Sequence, residues 1–259
     1  MEPTLLTPEE LAAYKFVPSE SSLSLLPPIE MRNRYGERNR VICWADQASL
    51  PQSSTPDSRL IADATDGIIL WKQGCTLNYG FNASSFQLSS SPELTIAAVR
   101  TLFAHALAGW GDSAPVRFIE ANNAYDFEFV LKPRASADEL SSALAKSFFP
   151  SNRQEKFEIY PLLFEQSVAE QIETLQHELG HVFGLRHFFA REAEAGLAVL
   201  FGTDTPFSIM NYGVESTLSQ ADLSDLIKLY SMAWDGRLRS INQIPIGFVL
   251  PYHLNSQQD

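Results

Sequence analysis

The chain has 259 residues, enough to bury the core of one large domain or of two lobes. Lysine plus arginine number 19 and aspartate plus glutamate 31, a formal net charge of −12, and a field of that sign repels phosphate backbones and anionic lipid surfaces. Nucleic acid and membranes are thus not expected partners, and two cysteines, Cys43 and Cys75, are too few for a disulfide-dense scaffold or a four-cysteine zinc site.

Met1 to Val17 holds Glu2, Glu9 and Glu10 and no basic start followed by an apolar block. No signal peptide is visible there, and the expected location is cytoplasmic or non-classically secreted. No apolar run approaches the roughly 20 residues that span a bilayer. Thr7-Pro8-Glu9-Glu10 has the pattern of a capping box with proline at the first helical position, which predicts a short helix over 8–14. Serine and proline crowd 19–28 and 49–58, which read as linker and loop. Between them Arg32, Arg34, Arg38 and Arg40 make a solvated face before a strand candidate at Val41-Ile42-Cys43-Trp44. Residues 1–60 are read as an N-terminal extension, 61–250 as the main domain with lobes at 61–187 and 188–250, and 251–259 as a tail.

From Gly67 the pattern is that of a packed domain. Ile68 to Trp71 and Leu77 to Phe81 read as strands on either side of a turn at Gly74. Apolar residues at helical spacing predict a long helix over 92–110, ended by Gly111-Asp112. Strands are expected at 116–120 and 127–131, and another at 143–149 ending at Pro150. The next helix, over 165–183, carries Val168, Ile172, Leu175, Leu179 and Val182 within about 40° of one direction at roughly 100° per residue. His177 and His181 then lie roughly 180–220° away, and the expectation is that they face a cleft.

Those histidines belong to His177-Glu178-Leu179-Gly180-His181-Val182-Phe183-Gly184-Leu185-Arg186-His187. Two histidines four apart sit one turn apart and can reach one tetrahedral zinc ion. Glu178 is angled off the ligand direction and can take a proton from an activated water. Gly184 can end the helix at positive φ and swing His187 back to the same metal. Three protein ligands leave a place for water, the arrangement of a catalytic zinc site. A zinc that binds without chemistry, or that is structural, remains open at this point.

With its glycine and third histidine, this run resembles the zinc signature of the metzincin endopeptidases. Ser208-Ile209-Met210-Asn211-Tyr212-Gly213 resembles their Met-turn, with Met210 at the methionine and Tyr212 at the tyrosine that astacin-like and serralysin-like members place near the zinc. The resemblance runs more weakly over 65–235: the stretch ending at Pro150 looks like the edge strand against which substrate lies, and Leu218-Ser219-Gln220-Ala221-Asp222 opens a helix like the C-terminal one. Phe188 follows the third histidine where astacin-like members carry glutamate, so no subfamily is assigned.

The resemblance implies an α/β (α+β) fold: a twisted mixed sheet, two long helices, a smaller irregular C-terminal lobe, and zinc in the cleft between them. It implies a zinc endopeptidase with one catalytic Zn²⁺ held by His177, His181 and His187. Glu178 would be general base and acid and Tyr212 the oxyanion donor, unless Tyr212 only packs in the turn. Gly184 and Met210 are structural neighbours of the site. The expected partner is a polypeptide bound extended along the edge strand. The other reading is a catalytically silent zinc-binding pseudoprotease acting as a binding module. Cys43 or Asp46 could block the zinc from the extension, or Cys43 could be a buried strand residue.

Overall fold

The computed structural model describes residues 3–19, 67–133, 143–186, 201, 208–210 and 216–255. The first element is α1 (Pro8–Ala13), where the Thr7 side chain accepts from the Glu10 amide and the Glu10 carboxylate accepts from the Thr7 amide. That reciprocal cap satisfies two amides that a helix start leaves unpaired. The helix docks on the body of the protein. Leu11 is buried, the Leu6 amide donates to Thr101 Oγ1 at 2.8 Å, and the Phe16 ring stacks on Phe164.

The chain continues through β1 (Ile68–Trp71), β2 (Thr76–Phe81), the one-turn α2 (Ala83–Phe86), α3 (Pro92–Trp110), β3 (Arg117–Glu120) and β4 (Phe127–Leu131). Then come β5 (Ala145–Lys146), β6 (Glu155–Ile159), α4 (Val168–Val182), α5 (Gln220–Trp234), β7 (Ser240–Ile241), β8 (Ile244–Val249) and the short α6 (Tyr252–Asn255). The architecture is mixed α/β. Five strands form one sheet in the order β3-β2-β4-β6-β5. All pairs are parallel except the last, where β5 runs antiparallel along β6 at the edge. Among the described residues no helix is long and apolar enough to cross a membrane.

Aromatic rings join the sheet to α3. On β4, Phe127, Phe129 and Leu131 alternate onto one face and are all buried, as the period of two requires. Phe103 of α3 meets that face: its ring lies 5.2 Å from Tyr79, 5.0 Å from Phe129 and 5.5 Å from Phe118, each edge-on. One helical side chain therefore spans three strands through the ring geometry aromatic pairs prefer. Burial, with Glu120 nearby, pushes the Tyr79 phenol up to about 12. At its far end α3 holds α4 directly, because Trp110 Nε1 donates to the Gln176 carbonyl at 3.0 Å.

Several boundaries differ from the sequence reading. α4 starts at Val168, not near 165, because Pro161–Glu165 forms a 3₁₀ turn and Ser167 caps the helix behind it. β6 was not expected: Glu155, Lys156 and Glu158 are charged, and only Phe157 and Ile159 mark its buried face. The strand expected at 143–149 is ordered as ladder only at Ala145–Lys146. The amide of Ser147 leaves the ladder and donates to a side chain of α4 instead. Nor does β1 extend the main sheet. It pairs in parallel with β8, Ile68 with Ile246, 178 residues downstream, a separation that no local sequence pattern can show.

That second sheet has the order β1-β8-β7 and brings β1 against the end of α4. Trp71 Nε1 donates to the Val182 carbonyl at 2.7 Å. The Tyr230 hydroxyl of α5 donates to the Phe183 carbonyl at 3.0 Å and accepts from the Trp71 amide at 3.3 Å. Trp234 Nε1 closes the group on the Trp71 carbonyl at 2.9 Å. The last carbonyls of a helix lack internal partners, and here two of them are met by buried side chains from other elements. Cys75, near this region, is a free buried thiol raised by its burial, and Cys43 lies outside the described residues.

Tyr230→Phe should therefore cost about 1–3 kcal/mol, because the Trp71 amide and the Phe183 carbonyl lose a partner inside the protein. Urea unfolding followed by circular dichroism reads this as a lowered midpoint with an unchanged slope. An unchanged midpoint would mean that the hydroxyl does not hold these groups.

Candidate metal and catalytic centre

The candidate site is built on α4. Its start is fixed by Ser167 and Glu170 in a second reciprocal cap. Its end is fixed by Gly184, at φ +86°. The Leu185 amide reaches back to the Gly180 carbonyl at 2.9 Å and the Gly184 amide to the His181 carbonyl at 2.8 Å. This double closure needs the left-handed conformation that glycine adopts at least cost. It also aims the Leu185 carbonyl back at the helix, where it lies 2.8 Å from His181 Nδ1.

His177 meets the same kind of partner from another part of the chain. Its Nδ1 lies 2.6 Å from the carbonyl of Ile209. Ile209 sits in the turn at 208–210, which the first turn of α5 holds. Ser208 Oγ donates to Asp222 Oδ1 at 2.5 Å, the Ile209 amide donates to Asp222 Oδ2 at 3.4 Å, and the Met210 amide donates to Ser208 Oγ at 3.1 Å. Asp222 also accepts from the amide and hydroxyl of Ser219 and so caps α5. One carboxylate thus fixes both the start of a helix and the turn that faces His177.

A carbonyl oxygen can only accept, so in both histidines Nδ1 carries the proton. The neutral ring then has its lone pair on Nε2. The two rings stand 4.9 Å apart between centroids, at 86° to one another. Neutral imidazoles with Nδ1–H on main-chain carbonyls are the form in which histidine ligates a divalent metal. The pair fits that role. Among the described residues no group of three or more histidine, cysteine, aspartate or glutamate side chains is gathered closely enough to hold a metal. His187, the third histidine of the spacing, and Tyr212 both lie outside the described residues, as do Asp46 and Phe188.

Glu178 lies between the two histidines in sequence and points elsewhere. Its Oε2 accepts from the Ser147 amide at 2.7 Å, and its own carbonyl accepts from Ser147 Oγ at 2.8 Å. Two residues on, the Phe149 ring stands edge-on to His181 with centroids 5.3 Å apart, and the Arg186 guanidinium lies over the Phe149 ring, 4.6 Å from its centroid. The segment just after β5 therefore packs along the histidine-bearing side of α4.

The histidine side of α4, expected to face a cleft, is closely covered. His177 is 4% exposed, Glu178 1% and His181 0%. The stripe argument separates the imidazoles from the apolar residues, but the turn at 208–210 and Phe149 pack on that side as well. Met210 is buried beneath the helix, against Gly180. A Cβ built on Gly180 would stand within contact of Met210 Sδ, 3.2 Å from its Cε and closer still to the sulfur. Glycine at 180 thus leaves room for the Met210 thioether, in a helix whose conformation alone would favour alanine.

Three residues that hold this centre carry no role in the sequence reading: Ser147, Ser208 and Asp222. Asp222 had a visible signal, since Ser219-x-x-Asp222 is a helix-start pattern. Its second task, across to Ser208, joins positions 14 apart and has no sequence signature.

No protein-family model matches the chain, and no curated protein matches it either. Among solved structures it is similar to two of myroilysin. One has 17% identity and a TM-score of 0.41, covering 62% of this chain and 95% of that one. The other has 12% identity and a TM-score of 0.44, covering 70% and 98%. It is also similar to high choriolytic enzyme 1, a hatching enzyme zinc-protease from the medaka fish Oryzias latipes, with 16% identity, a TM-score of 0.40, and 62% and 94% covered. Likeness this slight carries no argument about activity, which has to be read from the chain's own side chains.

Gly180→Ala tests the close approach under the helix. Alanine gains about 1 kcal/mol of helix propensity, but the new methyl group must displace a buried thioether, at a typical cost of about 1–3 kcal/mol. The expected net effect is a loss of about 1 kcal/mol. In a Met210→Ala background the same change should be neutral or stabilising, and a double-mutant cycle in urea measures the difference. An equal cost in both backgrounds would show that Met210 is not the obstacle.

Proposed function

We propose that the chain is a zinc-dependent endopeptidase, with one zinc ion held by His177, His181 and His187 and with Glu178 as general base and acid. The observation that carries this reading is the matched state of two imidazoles. His177 and His181 each give Nδ1–H to a main-chain carbonyl and so direct Nε2 as a lone-pair donor. The spacing to His187, across the turn at Gly184, supplies the third ligand of a centre that keeps a position for water.

Bound zinc would supply Lewis acidity, lowering the pKa of a water molecule and polarising the scissile carbonyl. The chain's own residues do the rest. The carboxylate of Glu178, with Oε2 occupied by the Ser147 amide, takes the proton of the attacking water on its other oxygen. It then delivers that proton to the leaving amine. Tyr212 donates its phenolic hydrogen to the oxygen that becomes negative in the transition state. The substrate is a polypeptide held extended against β5, the antiparallel edge of the main sheet, through main-chain hydrogen bonds. Near-complete burial of Glu178 favours one other reading, a zinc-holding binding module that cleaves nothing.

Purified chain should cleave a denatured protein, and a chelator should stop it while leaving the fold intact. Glu178→Ala should keep one zinc per chain and lose about 10²–10⁴-fold in kcat, since the side chain moves protons without ligating the metal. His187→Ala should bring zinc content well below one per chain, because three ligands become two. Metal analysis beside peptide kinetics decides both. Zinc lost in Glu178→Ala, or tight stoichiometric zinc in His187→Ala, would contradict the roles assigned. A zinc-loaded chain that cleaves nothing would leave the binding module.

A further inference from the structure

Glu178 is held by one residue twice. The Ser147 amide donates to Oε2 of its carboxylate, and the Ser147 hydroxyl donates to its main-chain carbonyl. Both partners are buried, Ser147 at 5% exposed and Glu178 at 1%. Ser147 directly follows Lys146, the last residue of the edge strand, whose partner across the ladder is Glu158. The ladder ends there because the next amide turns inward to the carboxylate.

From this geometry we infer that Ser147 is a positioning residue for Glu178, and that through it the placement of the edge strand sets the placement of the base. The inference rests on the reading of Glu178 as general base. A glutamate has three rotatable bonds, and left alone in a cavity it samples several rotamers. An amide hydrogen bond to an ionised carboxylate is charge-assisted and directional. It occupies Oε2 and leaves Oε1 as the oxygen to take the proton. The hydroxyl bond adds the second constraint. It ties the helix backbone at Glu178 to the same residue, so strand and helix cannot shift past one another while the carboxylate stays in place.

The rest of the segment acts in the same direction. Phe149 packs edge-on to His181, and Pro150 lies against the site where Gly184 turns the chain. Residues 147–150 thus touch the base, one histidine and the helix end in order. A peptide that adds itself to β5 loads the strand that holds the base. Alignment of substrate and alignment of Glu178 then become one event, and the gain appears in kcat because a pre-aligned base matters at the transition state.

Two measurements on the full-length chain test this. The first is amide hydrogen exchange across 143–150 in zinc-free protein, read by mass spectrometry. Glu178→Ala should speed exchange at Ser147 by at least about tenfold, and Glu178→Gln, whose amide oxygen still accepts, should stay near the unaltered chain. The second is peptide kinetics on zinc-loaded protein. Ser147→Ala should lower kcat about 10–100-fold with KM and zinc content unchanged, and Ser147→Thr, which keeps the hydroxyl, should recover most of the loss. Unchanged exchange in Glu178→Ala overturns the inference. So does full kcat in Ser147→Ala, or a loss confined to KM. If the unaltered chain cleaves no peptide, the endopeptidase reading fails, and exchange alone decides whether Ser147 holds the carboxylate.

Discussion

Two imidazoles on successive turns of a buried helix each need a partner for one ring nitrogen, and main-chain carbonyls supply it. The Leu185 carbonyl serves His181 and the Ile209 carbonyl serves His177. Carbonyls accept and never donate, so this choice fixes the tautomer as well as the ring orientation. Each carbonyl is placed by a different device, one local and one remote, and most of the structure around α4 maintains the two.

The local device is the helix end. Gly184 in the left-handed region turns the chain so that the Leu185 carbonyl faces back. That turn is itself held from outside, by Trp71 on the Val182 carbonyl and Tyr230 on the Phe183 carbonyl. Both anchors depend on the second sheet and on α5, so the C-terminal part of the chain steadies a histidine it does not touch. The remote device is Asp222. It caps α5 and in the same geometry holds Ser208 and Ile209. Behind both, Phe103 and Trp110 fix α3 against the sheet and α4 against α3. Among the described residues, the turns that face the two histidines are thus each anchored to helices and strands, which gives the site its rigid support.

What the sequence made legible follows the range of each interaction. Helix α3 was readable at both ends, from Pro92 and from Gly111, because proline and glycine act on their own turn. The strand at Phe127–Leu131 was read in place, from its run of apolar and aromatic residues. The histidine spacing was visible because one helical turn sets it. Pairings between distant segments were not. β8 lies parallel to β1 from the opposite end of the chain, and β6 hides its two buried side chains among three charged ones. The double hold of Ser147 on Glu178 spans 31 positions and uses a main-chain amide, which no side-chain pattern can reveal. The cover over His177 and His181 was not legible for the same reason: a helical projection separates faces but does not show what another segment lays over them.

In the proposed centre His177, His181 and His187 would hold one zinc ion through Nε2 and leave a position for water. X-ray absorption spectroscopy of the zinc-loaded chain measures this directly. The expected result is a four-coordinate ion with three imidazole nitrogens and one further oxygen, all at about 2.0–2.1 Å. The multiple-scattering pattern should be that of three imidazoles, reduced to two in His187→Ala. A sulfur neighbour at about 2.3 Å, or only two imidazoles in the unaltered chain, would contradict it.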